Sequence, residues 1–272
     1  MRDPILYLLA LALYGAVSGL FWRGLLKGSP APEHTRNTGI LALGFGAVVL
    51  HAAILYGSLN PQGELNLALT NAVSLMAWVI AVLFLIACLT KPIDNLGIII
   101  MPFAGLTVLV EWLWPGSHLL PEPTTPLQSL HIVISILAFG LLSLGAMQGV
   151  LLLVQERHLR HKQPGGFMRA LPPLETMEAL MLQMIGVGFV LLTVTAISGI
   201  FFSDEVFDEP RKFAHHIVLS TLAWMVFGIF LVGHWRFGWR GRTAIRWVLG
   251  GITLLALAYF GTKFVLEIIL KR

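Results

Sequence analysis

Eight long apolar runs, separated by short polar segments, dominate this sequence of 272 residues. They cover approximately residues 4–22, 38–58, 67–89, 95–113, 127–154, 179–202, 213–233 and 244–268. Each is close to the roughly 20 residues that an α-helix needs to cross a bilayer. Because a bilayer core offers no water to backbone groups, such segments span as helices. The runs predict an all-α, polytopic bundle of eight transmembrane helices, and since no polar stretch could fold separately, we expect a single domain over residues 1–272.

The composition supports a membrane class and excludes several soluble ones. Charged residues make up 12% of the chain, whereas soluble domains carry about 25%. The single cysteine, Cys88, excludes an internal disulfide and a C-x-x-C-H haem attachment site. We find no Walker segment, dinucleotide loop, nucleophile elbow or HExxH motif, so nothing indicates a soluble-type enzyme. The bilayer is the first predicted partner, and no nucleic acid is expected.

The positions of Lys and Arg predict the orientation of the chain. Twelve of the 18 follow runs one, three, five and seven, and six lie on the other side. Since cytoplasmic connections carry the excess of positive residues, both termini are predicted to face outward. The acidic segment 204–209 then lies outside, and the connection 155–178, the longest polar one, lies in the cytoplasm.

Three histidines lie inside apolar runs at a similar predicted depth. His131 lies about 6 Å into run five, His215 is similarly placed in run seven, and His51 lies about 10 Å below the outer end of run two. An ionisable residue inside a span is costly and marks a candidate site. The alternative is that these imidazoles hydrogen-bond between helices and bind nothing.

Two neighbours of these histidines affect their interpretation. His215 and His216 point about 100° apart on a helix, so one of them can face the interior. Ser135 follows His131 by one turn on the same face, which makes it a candidate partner for the second ring nitrogen.

Several short motifs follow one another in a recognisable order. Residues 126–131 read PLQSLH, residues 215–224 read HHIVLSTLAW, and residues 238–241 read GWRG. In this order they resemble the cytochrome c assembly superfamily of haem-handling membrane proteins, which includes CcsA, CcmC and HemX. The histidine-containing start of run seven is similar to its YpjD-like inner-membrane branch. The resemblance extends over residues 36–262, with residues 63–71 (GELNLALTN) similar to a further family segment.

The chain departs from the synthases of this superfamily at two places. Residues 207–212 read FDEPRK where the family's WWD-type loop carries tryptophans. The second outward histidine that CcsA members carry after the glycine matched by Gly261 is absent, because Lys263 and Phe264 stand there. We therefore expect no complete cytochrome c synthase and no catalytic residue.

The resemblance implies a haem-handling protein of the bacterial inner membrane, which binds or passes haem at the outer face. Its implied cofactor is haem b, whose iron would be bound by His131 and His215, with His51 as third choice. Relatives place His at the position of His215, which favours it over His216. Arg211 and Lys212 are at the right level to meet the haem propionates, which carry negative charge.

Other interpretations of these features remain open. Trp224 could stack on the porphyrin or pack in the core. Proteins of cytochrome assembly or haem biosynthesis are candidate partners. A HemX-like accessory could regulate haem biosynthesis through residues 155–178. A divalent-cation transporter could use the acidic outer segment and polar groups at the midplane. Against it, the spans lack a carboxylate pair near their centres, which such transport would favour.

Overall fold

The structure is a computed structural model. It describes residues 3–26, 38–59, 65–66, 68–116, 119–120, 126–160, 171–200, 210–261 and 264. Its helices are α1 (Pro4–Leu26), α2 (Thr38–Leu59), α3 (Leu69–Cys88), α4 (Gly97–Leu113), α5 (Pro126–Arg160), α6 (Leu174–Ile200), α7 (Pro210–Phe237) and α8 (Gly241–Ala256). A 3-10 turn, Asp94–Leu96, precedes α4, and a π-helical segment, Leu257–Gly261, continues α8.

All eight helices are long and apolar enough to cross a membrane, once α4 is counted with its 3-10 turn and α8 with its π-helical segment. The all-α class and the eight predicted spans are thus confirmed. One feature lies outside that prediction. The strands β1 (Leu65–Asn66) and β2 (Leu119–Leu120) form a two-residue antiparallel pair between the connection after α2 and the connection after α4.

The chain divides into two compact units. The first comprises residues 1–122 and 155–173, and the second comprises residues 123–154 and 174–272. A single domain over the whole chain stays a prediction.

In the first unit, α1 packs on α2 and α4, and α3 packs on the same two helices. Small residues allow close approach between these helices, as is common in membrane bundles. At Gly105 of α4, an added Cβ would lie 3.2 Å from the Cβ of Tyr14 in α1. The close contact between α1 and α4 therefore leaves little room for a side chain at this position.

In the second unit, α7 packs on α6, on α8 and on the π-helical segment. The turn between α7 and α8 needs two glycines, since Gly238 and Gly241 have φ angles of 67° and 55°. His234 Nδ1 lies 2.8 Å from the carbonyl oxygen of Trp239. The Trp239 ring in turn stacks on Trp247 at 5.2 Å between centroids. The GWRG motif therefore builds a tight, aromatic-covered turn.

The prediction of a polar connection over residues 155–178 is partly wrong, because helices cover both ends of this range. α5 continues to Arg160, where Arg160 and Glu156 form an i,i+4 ion pair at 2.8 Å that favours helix. α6 begins at Leu174, directly after Pro172 and Pro173. The middle of the connection, 161–170, lies outside the described residues.

Candidate functional site

His131 lies near the start of α5 and is half-buried against the end of α6. Its ring nitrogen Nδ1 is 2.7 Å from the hydroxyl oxygen of Ser198. A Cβ added at Gly199 would lie 3.5 Å from His131 Cε1, so the backbone of α6 runs beside the ring. The expectation that Ser135 partners the ring is wrong, because its hydroxyl donates to the carbonyl of His131 at 2.6 Å. Serine hydroxyls in helices often bond the carbonyl one turn back.

The Ser198 hydroxyl lies between the His131 ring and the backbone of its own helix. The Ser198 hydroxyl donates to the carbonyl of Thr195 at 3.0 Å. A hydroxyl has a single proton, so when that proton lies on Thr195, Ser198 accepts from His131 and the imidazole carries its proton on Nδ1. A neutral imidazole in this tautomer can bind a metal through Nε2, with its ring held by a bond on the other nitrogen.

The first turns of α7 carry three residues of the predicted site. Arg211, Lys212 and His215 belong to this helix, but their side chains lie outside the described residues. The next residue, His216, lies within electrostatic range of His131. His131 and the start of α7 therefore belong to the same compact unit.

Trp224 lies deeper in α7, nine residues after His215, which corresponds to about 13 Å along the helix. Its indole N–H donates to Thr193 of α6 at 2.9 Å. Its ring stacks on Phe189 of the same helix, with 5.8 Å between centroids and 20° between planes. One face of the indole is thereby covered by Phe189, and the N–H bond fixes the orientation of the ring.

Comparison with known proteins identifies the family of this chain. A family described as "Cytochrome C assembly protein" matches residues 40–270 of this chain. The chain belongs to the cytochrome c assembly protein family. Inner membrane protein YpjD of Escherichia coli is 30% identical over 272 residues, covering 98% of this chain and 99% of that protein. Together with the eight candidate spans, this likeness identifies a multi-pass protein of the bacterial inner membrane.

Relatives named for cytochrome c assembly are more distant. Cytochrome c biogenesis protein CcsA of Chlamydomonas reinhardtii is 23% identical over 211 residues, covering 73% of this chain but 58% of that protein. CcsA of a Synechococcus strain is 23% identical over 189 residues, covering 62% of each chain. No solved structure matches this member of the cytochrome c assembly protein family. The predicted resemblance, including its YpjD-like branch, is confirmed.

His51, the third predicted ligand, lies in the first unit and is fully buried in α2. Its Nδ1 is 3.0 Å from the hydroxyl of Tyr14 in α1, and its Nε2 is 2.9 Å from the hydroxyl of Ser74 in α3. A neutral imidazole has one N–H, so one hydroxyl donates to the ring and the other accepts from it. Iron binding by His51 would require one of these two buried hydrogen bonds to break.

Sequence reasoning missed a buried polar cluster at the end of α4. Glu111 is fully buried there, and its Oε1 lies 2.5 Å from the hydroxyl of Ser58 in α2. Asn71 of α3 donates to the carbonyls of Ser58 and Asn66 at 3.3 and 3.1 Å. The available signal was an acidic residue within an apolar run, which is rare in membrane helices.

Proposed function

We propose that this protein binds haem b at the outer face of the inner membrane, holds it between α5 and α7, and passes it to cytochrome assembly or haem-biosynthesis proteins. The proposed iron ligands are His131 and His215, with His51 as third choice. His131 and His215 would hold the iron, and bound haem would supply an iron centre, for which imidazole is a common ligand.

The hydrogen bond between His131 and Ser198 supports this proposal most directly. A ligand histidine in a metal site usually donates its second ring N–H to a neighbouring acceptor, which fixes its tautomer and orientation. Ser198, at 2.7 Å from Nδ1, provides that acceptor from the facing helix. With this bond on Nδ1, the ring is held in place and Nε2 would be the nitrogen that binds the iron.

The remaining proposed residues have roles set by their chemistry. Arg211 and Lys212 carry positive charges in the first turn of α7, and they would pair with the negatively charged propionates. Trp224, held by Phe189 and Thr193, would form an aromatic wall below the porphyrin. Neither role involves a chemical step, and the absent tryptophans of residues 207–212 argue against haem attachment by this chain alone.

The absorption spectrum of the detergent-purified protein tests the proposed function. We expect protein from haem-replete cells to be coloured, with the sharp bands of a low-spin, six-coordinate haem after reduction, because two neutral imidazoles give a strong ligand field. Colourless protein from the same cells, with haem added in excess and still not retained, would contradict haem binding.

The orientation is tested independently with reporter fusions. Since twelve of the 18 Lys and Arg residues follow runs one, three, five and seven, we propose that both termini face outward. A reporter that is active only in the periplasm should be active after Arg272 and silent at Gly166. The opposite pattern would put His131 and His215 on the cytoplasmic side and would exclude a haem site at the outer face.

A further inference from the structure

An apolar groove runs along the exposed side of α8 and ends in an arginine. It is shallow and open, with a volume of about 620 Å³. Arg246, Leu249, Gly250, Thr253 and Leu254 line it along α8, at the three- and four-residue spacing of one helix face. Val226 of α7 also lines it. The groove is therefore apolar along its length and positively charged at one end.

The charged end carries the residues that membrane interfaces favour. Trp247 lines the groove beside Arg246 and stacks on Trp239 at 5.2 Å. Arg236 and Arg240 lie nearby in sequence and are exposed. Within the described ranges, no ion-pair partner is found for Arg236, Arg240 or Arg246. Tryptophan rings are enriched at the headgroup level of a bilayer, and arginine forks bind phosphate through two parallel hydrogen bonds.

The length of the groove fits an acyl chain. From Arg246 to Leu254 the helix rises by about 12 Å. One leaflet of the hydrocarbon core is about 15 Å thick. A lipid whose phosphate lies at Arg246 could therefore keep most of one chain in contact with the groove, and the exposed Gly250 leaves space for it, since an added Cβ there meets nothing within 4 Å.

We propose that this groove is a binding site for an anionic phospholipid. Arg246 holds the phosphate, the stacked Trp239 and Trp247 fix the headgroup level, and the stripe from Leu249 to Leu254 contacts an acyl chain. The orientation proposed above puts this site in the cytoplasmic leaflet. A zwitterionic lipid would fill the same groove, but its ammonium group would offset the attraction of three exposed arginines.

Native mass spectrometry of the full-length protein from phosphatidylcholine nanodiscs doped with phosphatidylglycerol tests this proposal. We expect the wild type to retain phosphatidylglycerol preferentially. Arg246→Gln should weaken that preference about fivefold, the effect of one basic residue near an anionic surface. Arg23→Gln, a matched loss of one charge at an exposed position in the last turn of α1, should leave it unchanged.

A second variant tests the contribution of the apolar groove to lipid binding separately from the contribution of the charge. Gly250→Leu fills the open space without meeting another atom at Cβ, and it should reduce retention of both lipids while the melting temperature stays the same. Equal lipid retention by wild type and Arg246→Gln, or an equal loss in the Arg23→Gln control, would overturn the proposal. Displacement of the lipid by inorganic phosphate alone would also overturn it, because the site would then recognise a free anion.

Discussion

Replacing His131 and His215 together with alanine is expected to abolish haem binding, and replacing either one should leave a five-coordinate or mixed species. In the proposed site each imidazole would bind the iron, so loss of one should weaken retention and change the spin state. The measurement is the absorption spectrum of each purified variant, as isolated and after reduction, together with its haem content per chain.

Ser198→Ala tests the positioning of His131 separately from ligation. The substitution removes the acceptor 2.7 Å from Nδ1 and leaves the ligand itself in place. Loss of such a supporting contact costs about 10- to 100-fold in metal affinity. Ser135→Ala is the matched control, because its hydroxyl bonds the carbonyl of His131 and not the ring. We expect weaker haem retention for Ser198→Ala and wild-type retention for Ser135→Ala.

Substituting the two adjacent histidines of α7 one at a time identifies which of them binds the iron. His215 is the proposed ligand, while His216 lies within electrostatic range of His131. If His216→Ala removes the low-spin spectrum and His215→Ala does not, the ligand pair is His131 and His216. Bound haem whose spectrum is unchanged by substitution of His131 and of both α7 histidines would contradict a site between these helices.

The length of the apolar runs was enough to predict the eight spans. It did not predict the helix ends where polar residues continue a helix beyond the apolar run. Each apolar run became a helix, because backbone groups in a bilayer must be satisfied within their own segment. The end of α5 was missed because Glu156 and Arg160 are polar yet favour helix through their i,i+4 pair. The strand pair β1–β2 was missed because two residues on each side are too short to show alternation.

The sequence could predict how deep each site residue lies along its helix, but not which residues of other helices it contacts. The depth of His131 in α5 follows from counting residues, but its partner Ser198 lies 67 residues away on another helix. Local spacing favoured Ser135, whose hydroxyl the structure instead places on the backbone. In the same way, sequence alone could not show that Tyr14 and Ser74 hold both nitrogens of His51. Hydrogen bonds between helices depend on how the helices rotate and pack, which one sequence does not reveal.

His51→Ala is expected to destabilise the first unit strongly while the haem spectrum stays the same. The substitution leaves a cavity among α1, α2 and α3 and removes the partner of two buried hydroxyls. Truncation of a large buried side chain, with loss of buried hydrogen bonds, costs about 2–4 kcal/mol. Thermal melting of the purified protein in detergent, with the spectrum recorded on the same sample, measures both effects.

Tyr14→Phe and Ser74→Ala resolve which part of that loss comes from hydrogen bonding. Each removes one hydroxyl and keeps nearly all of the packing, so each should cost about 1 kcal/mol, as expected for a single hydrogen bond between membrane helices. The difference between these small losses and the loss in His51→Ala then measures the cavity. If His51→Ala melted like the wild type, the buried contacts to Tyr14 and Ser74 would not stabilise the unit. If it stayed folded but lost the haem spectrum, His51 would be an iron ligand, and one of its two bonds to the hydroxyls would have to open when haem binds.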